Sequence, residues 1–153
     1  MKKNEGIENI TTEFLKMIKL PEPNGKVFNY LIVMPQNEKG NNRHAFYLGV
    51  PYVCSALKAS GRIVFTLNLN YKPDPIESLK HVIARQSIDV VLTGGFSSQF
   101  WEIKTVVDTV KYVNPLIITV VGGAIVSSDP TTAMQALENA DYGVVGEGEQ
   151  IYD

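Results

Sequence analysis

The sequence predicts an α/β domain. It reads as a Rossmann-like, flavodoxin-like three-layer fold with a five-stranded parallel sheet in the order 2-1-3-4-5. Three observations predict it. Short, continuous apolar runs alternate with stretches that carry apolar residues at helical spacing. Glycine-rich turns close three of those runs, which is where a parallel sheet binds ligands. Proline and helix-capping residues mark the boundaries between segments.

Residues 1–26 come before this pattern. Ile7, Ile10, Phe14 and Met17 stand at helical spacing, so a short N-terminal helical extension is expected, and PEPNGK separates it from the core. The main domain is expected over 27–153. Its first strand is Val27 to Met34, stopped by Pro35. A long polar loop, Gln36 to Tyr47, follows, and loops of that length in compact domains usually have a function. Pro51 suits the first turn of a helix running to Ser60, with Val53, Ala56 and Leu57 on one face and Gly61 as its cap.

Ile63 to Leu69 is the second strand. Asp74-Pro75-Ile76-Glu77 reads as a capping box with proline at the first helical position, opening a helix with Ile76, Leu79 and Ile83 as its stripe. Ile88 to Leu92 is the third strand, and Thr93-Gly94-Gly95-Phe96-Ser97-Ser98 is its rim loop. Phe100, Ile103, Val107 and Val110 line the next helix, which Asn114-Pro115 ends. Leu116 to Val121 is the fourth strand, buried on both faces, with Gly122, Gly123 and Ala124 directly behind it. Asp129-Pro130 starts a helix carrying Ala133 and Leu137. Tyr142 to Val145 is the fifth strand, closed by Gly146-Glu147-Gly148-Glu149. Right-handed crossovers between these strands place the switch point between strands 1 and 3, flanked by the loops Gln36–Tyr47 and Thr93–Ser98.

Composition narrows the function. A 153-residue chain suits one domain with its own core. The net charge of −2 leaves no electrostatic footprint for nucleic acid. A single cysteine, Cys54, permits neither a disulfide framework nor a cysteine-based cluster, and it reads as a small core residue. No apolar stretch is long enough to span a bilayer, and the first lysines lack an apolar segment behind them, so a cytoplasmic domain without membrane contact is expected.

The acid/base inventory is thin. His81 reads as an exposed helix residue, and His44 lies in the long loop. No Ser-His-Asp set and no nucleophile elbow are readable. The residues after strand 1, PQNEKGNN, match neither phosphate-binding glycine motif. No catalytic residue and no metal ligand are therefore assigned. What remains is a rim of small and hydroxyl groups: Thr93, Gly94, Gly95, Ser97, Ser98, Gly122, Gly123, Ser127, Ser128, Gly146 and Gly148, with Glu147 between the last two. Tight turns alone would explain any one glycine pair. Three clusters on one rim suit a large, flat ligand held by backbone and hydroxyl contacts. A side chain at Gly123 is expected to occupy ligand space.

The series LIVMP, ALKASG, DVVLTGGFSSQF, VVGGAIVSSDP and ADYGVVGEGEQ resembles the N-terminal cobalamin-binding domain of cobalamin-dependent radical SAM enzymes. The resemblance covers Val27 to Asp153. It implies cobalamin held over the strand ends, with Thr93, Ser97 or Ser98 as the hydroxyl position and Gly122-Gly123 as the glycine pair. It also implies a radical SAM barrel elsewhere in the parent chain as partner, binding a [4Fe-4S] cluster and S-adenosylmethionine. One cysteine cannot supply the C-x-x-x-C-x-x-C of that barrel, so these residues alone are not expected to do radical chemistry. Many cobalamin domains carry D-x-H-x-x-G after strand 1. Here the nearest match is Asn42-Arg43-His44-Ala45-Phe46-Tyr47, so His44 is not expected to ligate cobalt. The parent reads as a methyltransferase or related enzyme. The alternatives are a flavodoxin-like interaction or regulatory domain that has lost cobalamin, and a small enzyme using another cofactor.

Overall fold

The computed structural model describes residues 27–37 and 49–146. The N-terminal extension, most of the loop after the first strand with His44, and the segment from Glu147 onward lie outside the described residues.

Five parallel strands form one sheet in the order β2-β1-β3-β4-β5, as the alternating pattern predicts. They are β1 (Asn29–Met34), β2 (Ile63–Asn68), β3 (Val90–Gly94), β4 (Ile118–Gly122) and β5 (Tyr142–Gly143). The helices are α1 (Gly49–Ala59), α2 (Pro75–Gln86), α3 (Phe100–Val113), α4 (Ala124–Ser128) and α5 (Pro130–Ala136).

Strand alternation sorts the core onto two faces. Tyr30, Ile32, Val90, Leu92 and Val120 face α1, which inserts Leu57 with Val53 and Cys54 beside it. Their neighbours Leu31, Val33 and Val91 face α2 and α3, which contribute Leu79, Ile83, Val106 and Val110. Val121 packs with Ile103 and Val107 of α3 and with Ile125, Val126, Ala133 and Leu137. Each fully buried aliphatic side chain stabilises the fold by roughly 1.5–3 kcal/mol.

The structure moves several boundaries. The β3 ladder starts at Val90; Ile88 is buried but precedes it. Leu116 was expected to open a buried strand, yet it is 86% exposed. Its N–H is taken by the Asn114 side chain at 3.0 Å, a side-chain turn that delays β4 to Ile118. The β5 ladder stops at Gly143, although Val144 is buried and its N–H still bonds the Val121 carbonyl at 2.8 Å. The segment AIVSS, between the fourth strand and the Asp129-Pro130 helix start, is helix α4; five residues are too few to show a period.

The capping box is half formed. Asp74 accepts the Glu77 N–H at 3.0 Å, but the Glu77 carboxylate turns to Lys80 at 2.7 Å instead of back to the cap. Ile76 is exposed, so Leu79 and Ile83 alone carry that helix's buried stripe.

Candidate functional site

The C-terminal ends of β1, β3 and β4 meet at one rim of the sheet. Thr93 and Gly94 belong to β3 itself rather than to a loop. The Thr93 hydroxyl donates to the Val33 carbonyl of β1 at 3.0 Å and is buried, so its proton is already engaged inside the fold. It locks the two central strands together at the switch point.

The rim glycines are needed first by each other. Gly94 pairs with Gly122 across the β3–β4 ladder, and a Cβ on Gly94 would overlap the Gly122 carbonyl. A Cβ on Gly95 would overlap the Gln99 amide. Gly123 has φ +85° and lies on Gly95, where its Cβ would come within 3.0 Å of the Gly95 backbone N and O. The Gly95 carbonyl accepts the Ile125 N–H at 3.0 Å, tying the β3 turn to α4. A side chain at Gly123 is expected to occupy ligand space, and to cost stability too if its φ is positive, as it is. Its backbone conformation and its contact with Gly95 make it a stability position as well.

Gly146 also has a positive φ, +85°. Its N–H bonds the Ser127 hydroxyl at 3.0 Å, drawing the turn after β5 towards α4. Ser128 donates to the Ala124 carbonyl within α4. Glu147 and Gly148 lie outside the described residues.

What the rim presents outward is small. Ser97, Ser98, Gly123, Ala124 and Gly146 are all exposed, and a Cβ at Gly146 would meet nothing within 4 Å. One large group stands among them: Phe96, 65% exposed between Gly95 and Ser97. Phe96 is not among the rim groups expected from the sequence, although its place in GGFSSQF is a usable signal. Gln99 was missed too. It is buried, its Oε1 accepts the Phe96 N–H at 3.2 Å, and its Nε2 donates to Asn37 Oδ1 at 3.1 Å. Asn37 is held in turn, its N–H donating to Asn70 Oδ1 at 2.7 Å.

A separate cleft of about 250 Å³ lies between α2 and α3, lined by Asp74, Ile76, Leu79, Trp101, Glu102 and Thr105 among others. Its lining also takes in Gln36 after β1, Leu69 after β2 and the first turns of both helices, so it opens at the carboxyl end of the sheet on the α2–α3 face. Among the described residues no His, Cys, Asp or Glu group converges as a metal ligand set. None of their helices is long and apolar enough to cross a membrane.

The described residues of the rim offer bare backbone and hydroxyls with an apolar ring beside them, which suits binding by shape. The B12 binding domain family model matches residues 45–153, more than two thirds of the chain and the part that builds all the rim turns after β3. The chain belongs to the B12-binding domain family. Cobalamin is thus the cofactor that the domain's family binds, and the rim's small exposed residues fit a broad, flat macrocycle.

The B12-binding domain also has likenesses among solved structures. One is the radical S-adenosylmethionine methyltransferase TsrM from Kitasatospora setae with cobalamin and a [4Fe-4S] cluster bound. It superposes with a TM-score of 0.69 at 20% identity, covering 82% of this chain and 25% of that one. Another is the same enzyme with tryptophan substrate and a SAM analogue. It gives a TM-score of 0.67 at 20% identity, covering 80% of this chain and 24% of that one. The chain therefore spans about a quarter of those proteins, and at this identity they share its fold. No curated protein matches the chain.

Proposed function

We propose that this B12-binding domain is the cobalamin module of a larger radical SAM enzyme, a methyltransferase or a related enzyme. One observation carries the proposal: a rim of exposed, small residues at the carboxyl ends of β3 and β4, contiguous with Phe96. The family membership and the shared fold support it.

In this reading Gly122, Gly123 and Ala124 form the floor under the corrin, with Gly94 and Gly95 building the turn beside it. Ser97 and Ser98 offer hydroxyls to its amide arms, and Gly146, Glu147 and Gly148 border the neighbouring catalytic domain. When bound, cobalamin supplies the cobalt centre that carries the chemistry. The chain's own residues bind and orient it and shield one face from water. The barrel, its [4Fe-4S] cluster and S-adenosylmethionine belong to the rest of the parent enzyme.

Titration of the chain with hydroxocobalamin, followed by absorbance and gel filtration, tests the module. Retained corrin is the expected result. A second reading is favoured by the way Thr93, Gly94 and Gly95 are engaged within the fold: a flavodoxin-like interaction domain that has lost its cofactor. No retained corrin at millimolar cofactor would select that reading. A C-x-x-x-C-x-x-C motif in the parent chain tests the radical SAM assignment separately.

A further inference from the structure

The switch point between β1 and β3 is bridged by two amides. Gln99 follows the β3 turn, and Asn37 follows β1. The Gln99 amide spans between them, donating to Asn37 Oδ1 at 3.1 Å while accepting the Phe96 N–H at 3.2 Å. Asn37 is anchored to the turn after β2. Its N–H bonds Asn70 Oδ1 at 2.7 Å, and the Asn70 amide reaches Asn68 Oδ1 at 2.9 Å and the Pro35 carbonyl at 3.2 Å. The relay thus runs from the end of β2, over β1, to the β3 turn.

Packing shows that the turn is built around this amide. Gly95 has no side chain in the space that Gln99 fills, and Gln99 is 5% exposed although polar. A buried amide is retained at low cost only when its hydrogen bonds are made. A fixed network of this kind limits the conformations of the backbone it holds.

We propose that Gln99 is a positioning residue for the cofactor. Through Asn37 it holds the Phe96–Ser98 turn in the conformation that receives the corrin, without touching the corrin itself. The proposal rests on the cobalamin reading of the rim and extends it. A preorganised turn loses less entropy on binding, so breaking the bridge weakens binding even though every rim group remains.

The test uses the 153-residue chain and hydroxocobalamin. Gln99→Met removes donor and acceptor at nearly constant volume. Asn37→Leu breaks the same bridge from its half-buried end, in case the first variant folds poorly. Each should weaken binding about tenfold, and the double variant should lose no more than either single one. Asn37→Asp keeps an acceptor for Gln99 and should restore affinity to within about twofold of wild type. Amide exchange at Phe96 to Ser98, measured without cofactor, should quicken about tenfold in Gln99→Met and Asn37→Leu. Unchanged affinity in folded variants overturns the proposal, as do losses that multiply in the double variant. A wild-type chain that retains no corrin overturns the cofactor reading instead. The exchange comparison still judges the bridge, and unchanged exchange at the turn overturns it.

Discussion

The two ends of the sheet are built by opposite means. At the amino ends, side chains do the holding. Lys111 at the end of α3 reaches the Ile117 carbonyl at 2.7 Å and the Asp141 carboxylate at 2.6 Å. Asp141 also accepts the Thr119 N–H at 2.7 Å. Thr119 donates to the Asn139 carbonyl, and the Asn139 amide reaches Asp108, which pairs with Lys104. Asn29 links to Asp89, Gln86 and Ser87. At the carboxyl ends of β3 and β4 side chains are mostly missing, while β1 and β2 end on the linked amides of Asn37, Asn68 and Asn70. Gly94, Gly95, Gly122 and Gly123 approach backbone to backbone, and one amide bridge spans the switch point. The difference teaches where each end spends its residues. The lower end staples strands to helices with polar groups that satisfy one another. The ends of β3 and β4 keep a low surface, which is what the proposed cofactor site requires.

That contrast can be broken most severely at Gly94. Gly94→Val drives a side chain into the Gly122 carbonyl, and overpacking of that kind costs about 3 kcal/mol or more. Urea denaturation should show the loss, and corrin retention should fall with it. A midpoint close to wild type would show that the strand ends can separate freely.

The converse substitution lies at the lower end. Asp141→Ala leaves Lys111 and the Thr119 N–H without their shared partner and should cost about 1–2 kcal/mol. Cobalamin affinity should stay within about twofold, since effects at distant sites are close to independent. A large affinity loss in the folded variant would mean that the two ends are not separate in function.

Phe96→Ala sharpens the contrast from above. The ring is mostly exposed, so the unfolding free energy should change by no more than about 0.5 kcal/mol. Corrin binding should weaken several-fold as an apolar contact is lost. Equal affinities would remove Phe96 from the site.

The smallest effect is a pH slope. Partial burial raises the Asp108 pKa, but hydrogen bonds from Asn139 and Lys104 outweigh it and hold the group below its ordinary value. A depressed folded pKa gives stability that is present above the unfolded value of about 3.9 and is lost as pH falls through the folded one. The side chain is partly exposed, so the contribution should stay below about 1 kcal/mol. Asp108→Asn should flatten that part of the acid limb of stability between about pH 5 and pH 3. An unchanged slope would place the acid sensitivity elsewhere.

The fold was legible because its signals are local. Apolar runs mark the strands, apolar spacing marks the longer helices, Asp-Pro opens α2 and α5, glycines follow β3, β4 and β5, and the strand order follows from a simple alternation. The boundaries were less so. Leu116 looks like a strand residue until Asn114 captures its N–H, and α4 is shorter than the period that would reveal it. The rim was legible as a place but not as a set of roles. Glycine in sequence does not say what occupies the space of its missing side chain. Only the pairing of Gly94 with Gly122, and of Gly95 with Gln99 and Gly123, shows that much of the glycine content serves packing. Gln99 and Asn37 are 62 residues apart, so their bridge leaves no local mark.

The most direct test of the central claim is amide exchange of the chain with and without saturating hydroxocobalamin. The account predicts added protection at Gly95–Ser98, Gly122–Ala124 and Gly146, with no change at Ile117, Thr119 and Asp141. Protection confined to the lower end, or to the cleft between α2 and α3, would contradict it.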